Sequence, residues 1–274
     1  IPLRLVGSEM CIRDRPLPCS INQEFALPSS DIISSLVTTN TKAIVLCNPG
    51  NPTGRLYNDQ ELEQIRSIAL NHDLYVISDE VYREFTYDGK KHTSILTLKG
   101  LDQHGILIDS VSKRYSLCGA RIGLIASKNK NIMAAAMKFA QARLSPPTLA
   151  QIVSEAAIDT EDSYFTEVKN EYEKRRNFMV DRLNRIPGVK CPKPSGAFYC
   201  IAELPIDDSN DFCQWILKEF NHKGETIMMA PGNGFYSDSK LGMKQVRLAY
   251  VLDIDHLDRA INCLEIGLQQ YESK

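Results

Sequence analysis

Three short segments concentrate the residues able to do chemistry. Asn48-Pro-Gly-Asn-Pro-Thr-Gly54 follows one compact apolar run, Asp79-Glu-Val-Tyr82 follows a second, and Ser110-Val-Ser-Lys113 follows a third. A lysine that is partly desolvated and close to other cations loses basicity and becomes a nucleophile able to form a Schiff base. A carboxylate such as Asp79 can keep a proton on a basic ring nitrogen, while a tyrosine and an amide orient a phenolic oxygen. Ser110, Ser112 and Arg121 add hydroxyls and a planar guanidinium, which suit a phosphate monoester.

The elements that must position these residues are legible in the hydrophobic pattern. Lys42 to Cys47 is a nearly continuous apolar run, as expected of a buried strand in a parallel sheet. Asn58-Asp-Gln-Glu61 offers a capping box, and Leu62, Ile65 and Ala69 recur at helical spacing to about Asn71. Leu74 to Ser78 and Gly105 to Asp109 are further apolar strands, so strand, helix and strand make a βαβ unit. The three chemical segments then all sit at carboxyl ends of strands, where an open parallel sheet binds ligands. Residues more than sixty positions apart converge there, and the inventory they bring together describes a site for pyridoxal phosphate (PLP). Singly, each has a plainer explanation: a Pro/Gly/Asn turn, a helix cap, a core tyrosine, surface lysine and arginine. Order and joint occurrence outweigh those explanations.

Beyond Gly123 the texture changes. Ile132 to Arg143 predicts a helix, Pro146-Pro147 breaks it, and Thr148 to Ile186 predicts helix with an interruption near Asp159. Short strands at Ala197 to Ile201, Thr226 to Met229 and Gln245 to Val251 then alternate with helices at Asn210 to Asn221 and Asp255 to Gln270, a smaller α/β unit. Phe212, Trp215, Ile216 and Phe220 are expected in its core.

Composition narrows the function classes. The 274 residues are 43% hydrophobic and 24% charged, which excludes disordered and fibrous chains. Thirty-two Lys and Arg against 34 Asp and Glu leave a charge of −2, too balanced for a general nucleic-acid or acidic-membrane binder. No apolar run approaches the roughly 18 residues of a membrane span. Eight scattered cysteines show no C-x-x-C and no metal-ligand pairing with the histidines, so reduced thiols in a cytoplasmic protein are expected and no metal site is assigned. His72, His92, His104, His222 and His256 receive no role. Leu3 to Arg15 resembles translated sequencing-adapter sequence more than a targeting peptide and is left out of the fold; residues 1–20 are read as non-native.

From about Ile21 to the C-terminus the chain resembles a fold-type-I, class I/II aminotransferase of the aspartate-aminotransferase superfamily. The resemblance is carried by Asn48 to Gly54, Ser78-Asp-Glu-Val-Tyr82, Ser110-Val-Ser-Lys-Arg-Tyr-Ser-Leu-Cys-Gly-Ala-Arg-Ile-Gly123, Pro194-Ser-Gly-Ala-Phe-Tyr199 and Val246-Arg-Leu-Ala-Tyr250, in that order. It implies a three-layer αβα large domain with a mostly parallel sheet, incomplete here, over residues 21–160, and a small α/β domain over 161–274. It implies that Lys113 forms the Schiff base and shuttles the reaction's proton, and that Asp79 pairs with the pyridinium nitrogen. Asn51 and Tyr82 would bond the ring 3′-oxygen, and Ser110, Arg121 and Ser112 the phosphate. Arg247, with Asn51, would bind the substrate α-carboxylate.

The implied activity is ping-pong transfer of an amino group from an amino acid to a 2-oxo acid such as 2-oxoglutarate, by a homodimer. Aspartate is the first donor, because Met229-Ala-Pro-Gly-Asn-Gly-Phe-Tyr-Ser237 looks like bacterial aspartate aminotransferases. A PLP-dependent C–S lyase and a non-catalytic aminotransferase-like ligand-binding module are the alternatives. Against full-length members a substantial N-terminal block is missing, including much of the phosphate site. The chain is therefore expected to be an inactive fragment with an unpaired sheet edge prone to aggregation.

Overall fold

A computed structural model of the chain describes residues 14–17 and 19–272. Most of the adapter-like segment lies outside the described residues. In chain order the elements are α1 (Ser30–Ser35), β1 (Ala43–Cys47), α2 (Asp59–Asn71), β2 (Tyr75–Asp79), β3 (Gly105–Ser110), α3 (Val111–Arg114) and β4 (Gly123–Ala126). The helices α4 (Lys130–Arg143), α5 (Thr148–Ala156) and α6 (Asp162–Asn184) follow, then β5 (Tyr199–Glu203), α7 (Ser209–Lys218), β6 (Ala230–Pro231), β7 (Gln245–Ala249) and α8 (Ile254–Glu272).

The first sheet runs β1-β2-β3-β4, with β1, β2 and β3 parallel and β4 antiparallel on the edge. Side chains alternate across it. Ile44, Leu46, Val76 and Leu107 point to one face, where Ile65, Ile68 and Ala69 of α2 cover them. Each fully buried aliphatic there contributes about 1.5–3 kcal/mol. The opposite face presents Val45 (52% exposed), Ile108 (41%) and Ile125 (41%), so among the described residues no helical layer covers that side. The second sheet is antiparallel, in the order β5-β7-β6. Its core gathers Phe198, Phe212, Trp215, Ile216, Phe220, Leu248 and Leu264. Tyr82, Phe85 and Tyr87, from the segment after β2, are buried in that same cluster. The aromatic side chains that follow Asp79 are thereby anchored in the core of the second sheet.

The capping box expected at α2 is present: the Asn58 side chain accepts the Glu61 N–H and Glu61 accepts the Asn58 N–H, each at 2.9 Å. Glu61 also pairs with Arg55 at 2.9 Å and accepts the Leu27 N–H at 3.1 Å. Glu61→Ala therefore removes a cap and orphans two partners, and should cost about 2–3 kcal/mol in urea unfolding. A loss below about 0.5 kcal/mol would show the box to be energetically idle.

One expected strand needs correction, and one strand was not expected. Thr226 to Met229 has strand-like burial, with Ile227 and Met229 buried and Met228 82% exposed, yet ladder pairing begins only at β6, where Ala230 faces Arg247. The edge strand β4 lies in a stretch with no strand expectation. Its pairing with β3, Ser110 opposite Gly123, holds the chain after Lys113 close to the sheet. No helix among the described residues is long and apolar enough to cross a membrane. The seven cysteines among the described residues are free thiols.

Candidate active site

The loop after β1 is fixed by its backbone. Asn48 donates its N–H to the Asp79 carbonyl and accepts the Tyr57 N–H on Oδ1, both at 2.9 Å. The Gly54 carbonyl accepts the N–H groups of Ser195 and Gly196 at 3.0 and 2.8 Å. Both glycines are required by this close approach. A Cβ on Gly54, whose φ is +68°, would lie 2.4 Å from Pro194 Cβ, and one on Gly196 would lie 2.6 Å from Pro49 Cβ. Two of the sequence motifs thus interlock as backbone against backbone.

That junction brings Asn51 to Arg247. Arg247 Nη1 donates to Asn51 Oδ1 at 3.0 Å across 196 residues of chain, and its guanidinium lies 4.8 Å over the Tyr199 ring and 5.1 Å over the Phe235 ring. Tyr199 meets Tyr82 hydroxyl to hydroxyl at 3.4 Å. The Lys113 ammonium lies 5.9 Å from the Tyr82 ring and 5.5 Å from the Phe198 ring. Lys113, Tyr82, Tyr199, Arg247 and Asn51 form one continuous path of contacts.

Asp79 ends β2, level with Cys47 on one neighbour and Ile108 on the other. It is half-buried, and its Oδ1 accepts the Val81 N–H at 3.2 Å. Burial raises its pKa against only that one hydrogen bond; among the described residues no cation offsets the desolvation. A carboxylate so placed favours a positively charged partner. Burial, then the charge of Asp79, pushes the neighbouring Cys47 thiol up to about 12, so it stays protonated and is no nucleophile. Burial, then the Tyr199 hydroxyl, raises Tyr82, which remains a neutral phenol able to donate.

Lys113 is carried on α3, one turn long, with Ser110 as its cap: Ser110 Oγ accepts the Ser112 N–H at 3.2 Å. The buried Asp109 pairs with Arg114 at 3.2 Å and Arg83 at 3.5 Å, tying this turn back to β3 and to the segment after Asp79. Arg121 stands apart. It is exposed, left-handed at φ +57°, and its Nη1 donates to the Cys118 carbonyl at 2.9 Å. A non-glycine residue there is strained. The structure thus links Asn51, Arg247, Tyr82 and Lys113 along one path through Tyr199, sets Asp79 and Ser110 at the adjacent strand ends, and places Ser112 half-buried on α3.

A family model described as aminotransferase class I and II matches residues 15–264. The chain belongs to the class I and II aminotransferases. Among its relatives, the aspartate aminotransferase of Bacillus subtilis is 34% identical over 251 residues, covering 89% of this chain and 61% of that protein. Aromatic-amino-acid aminotransferase 2 of Thermococcus litoralis is 32% identical over 259 residues, covering 93% and 64%. The solved structure of an aspartate aminotransferase from Thermotoga maritima superposes with a TM-score of 0.79 at 30% identity, covering 92% of this chain and 62% of that one. The chain spans about three fifths of the length of these relatives. Family members use PLP.

Tyr199, Phe198 and Phe235 belong to the constellation without having been expected in it. The signal existed for Tyr199, which closes the Pro194 to Tyr199 motif at the start of β5, but nothing in the pattern says which face of that strand meets Arg247. Asp109 lies one residue before the Ser110 segment; only the fold reveals its pairing with two arginines.

Proposed function

We propose that the protein is a PLP-dependent aminotransferase that moves an amino group from an amino acid, aspartate first, to a 2-oxo acid such as 2-oxoglutarate. The observation that carries this is the contact path from Lys113 through Tyr82 and Tyr199 to Arg247 and Asn51, with the uncompensated Asp79 carboxylate at the adjacent strand end. The donor set fits the cofactor. Among the described residues Asp79 lacks a cation, which a pyridinium would provide, Tyr82 keeps a hydroxyl to donate to a ring oxygen, and Asn51 is held by Arg247 on the same contact path.

When bound, PLP supplies an aldehyde for the incoming amine and an electron-poor ring that accepts charge from the substrate α-carbon. Lys113 moves the proton to and from that carbon. Asp79 holds the proton on the ring nitrogen. Arg247 orients the substrate through its α-carboxylate by a bidentate fork, its stack on Tyr199 and Phe235 fixing the plane of the guanidinium. Ser110, Ser112 and Arg121 are proposed for the phosphate; for Arg121 this requires exchanging the Cys118 carbonyl for a phosphate oxygen. We read residues 21–160 as the cofactor domain and 161–274 as the small domain of a homodimeric, cytoplasmic enzyme.

The test is an assay with aspartate and 2-oxoglutarate, in the protein extended to the length of its relatives. Glutamate formation supports the proposal, while pyruvate and ammonia released from cysteine conjugates without a 2-oxo acid would make it a lyase. Phenylalanine outperforming aspartate would overturn the donor assignment. Arg247→Lys loses the planar fork and should raise KM for every donor by about tenfold or more, with a smaller change in kcat. Equal KM values in variant and parent would remove Arg247 from carboxylate binding.

A further inference from the structure

Immediately beyond Asp79, Glu80 turns into the protein and is fully buried. Its Oε1 accepts the Ile95 N–H at 2.8 Å. Its Oε2 lies 3.6 Å from Nε2 of His92, whose side chain is only 8% exposed, with no direct hydrogen bond between the two atoms, while the Ser78 and Ser94 hydroxyls also interact with the carboxylate. The His92 ring also donates to the Asn48 backbone carbonyl. Asn48 in turn donates to the Asp79 carbonyl, and Glu80 donates its N–H to the Ile108 carbonyl, each at 2.9 Å. One small buried knot therefore joins the ends of β1, β2 and β3 to the segment 92–95.

We propose that Glu80 and His92 are a positioning pair for the cofactor site: they clamp the start of the Asn48–Gly54 loop against the end of β2 and so fix Asn51 and Asp79 relative to each other. This rests on the PLP reading of that site. Side chains alternate along an extended strand, so the residue next to Asp79 is the one that can anchor its backbone from behind. The pair is chemically matched. Burial, then the charge of Arg83, pushes His92 down to about 4, so the ring is neutral near pH 7, and burial raises Glu80. One proton between Nε2 and Oε2 closes the gap into a hydrogen bond, and a buried pair left without it is costly.

Amide hydrogen exchange of the cofactor-free chain tests the clamp. In His92→Phe, amides of residues 48–57 should exchange about tenfold faster, the change expected from one lost buried hydrogen bond, while those of α2 keep their rates. His92→Gln, which retains a donor for the Asn48 carbonyl, should restore most of the protection. Unchanged exchange at 48–57, an equal acceleration throughout α2, or no rescue by His92→Gln would each overturn the clamp. Should His92→Phe fail to fold, His92→Asn, too short to reach both partners, replaces it with the same expectations. With PLP added to the protein extended to the length of its relatives, the pH midpoint of the visible absorbance band should shift in His92→Phe and return in His92→Gln; an unmoved midpoint counts against the pair. If wild type shows no band at all, the cofactor reading fails while the exchange result still decides the clamp.

Discussion

In the protein extended to the length of its relatives, Lys113→Ala is expected to abolish the visible absorbance that PLP acquires, together with its bleaching by borohydride, and to leave transamination below detection. Two losses coincide in this variant. The nucleophile that fixes the cofactor is gone, and so is the proton shuttle, a role worth about 10² to 10⁴ in rate by itself. The structure makes the substitution clean. Lys113 forms no ion pair among the described residues, and its contacts are with the Tyr82 and Phe198 rings, so the fold should lose on the order of 1 kcal/mol. Mass spectrometry after borohydride should find the cofactor on the peptide containing Lys113 in wild type and nowhere in the variant. A band that survives in Lys113→Ala would remove the central claim.

Asp79→Asn should separate stability from function. Because burial raises the Asp79 pKa, the ionised carboxylate opposes folding at every pH above its unfolded value, and that penalty disappears only where the group is protonated. The amide avoids the penalty while it can still accept the Val81 N–H. Thermal unfolding of the cofactor-free protein near pH 7 should therefore give a Tm no lower than wild type. Turnover should fall by about 10² or more, with KM for the donor changing less, because a neutral amide cannot hold a proton on the ring nitrogen. A lowered Tm with unchanged kcat would show Asp79 to be structural.

Much of this was readable from residue types because the local signals and the fold agree. The apolar runs ending at Cys47, Ser78 and Asp109 announce parallel strands, Asn58 and Glu61 announce α2, and Pro187-Gly188 marks the end of the helix that α6 becomes. What escaped has physical causes. Gly123 to Ala126 is four residues at an exposed edge, too short to show alternation, and it becomes a strand because β3 offers unpaired backbone groups. Thr226 to Met229 alternates as a strand should, but alternation reports burial and not the presence of a ladder partner. The site residues were nameable from their motifs. Their contacts, such as Tyr199 against Tyr82 and Arg247 against Asn51, depend on how the second sheet packs on the loop after β1, and no local pattern encodes that. His92 had no motif to recommend it, and its importance rests on burial beside Glu80.

The interlocked glycines also dictate an order of assembly. Leu56 bonds Ser195 across 139 residues and Asn51 bonds Arg247 across 196, so the site cannot exist until a very long loop has closed. Loop closure lengthens the search more than it costs final stability, since each doubling of a loop adds only about 0.6 kcal/mol. During synthesis from the N-terminus, β1, α2 and β2 emerge and can pair long before Arg247 is made. Competence to bind substrate is thus acquired at the end of folding, when the last strand of the second sheet arrives.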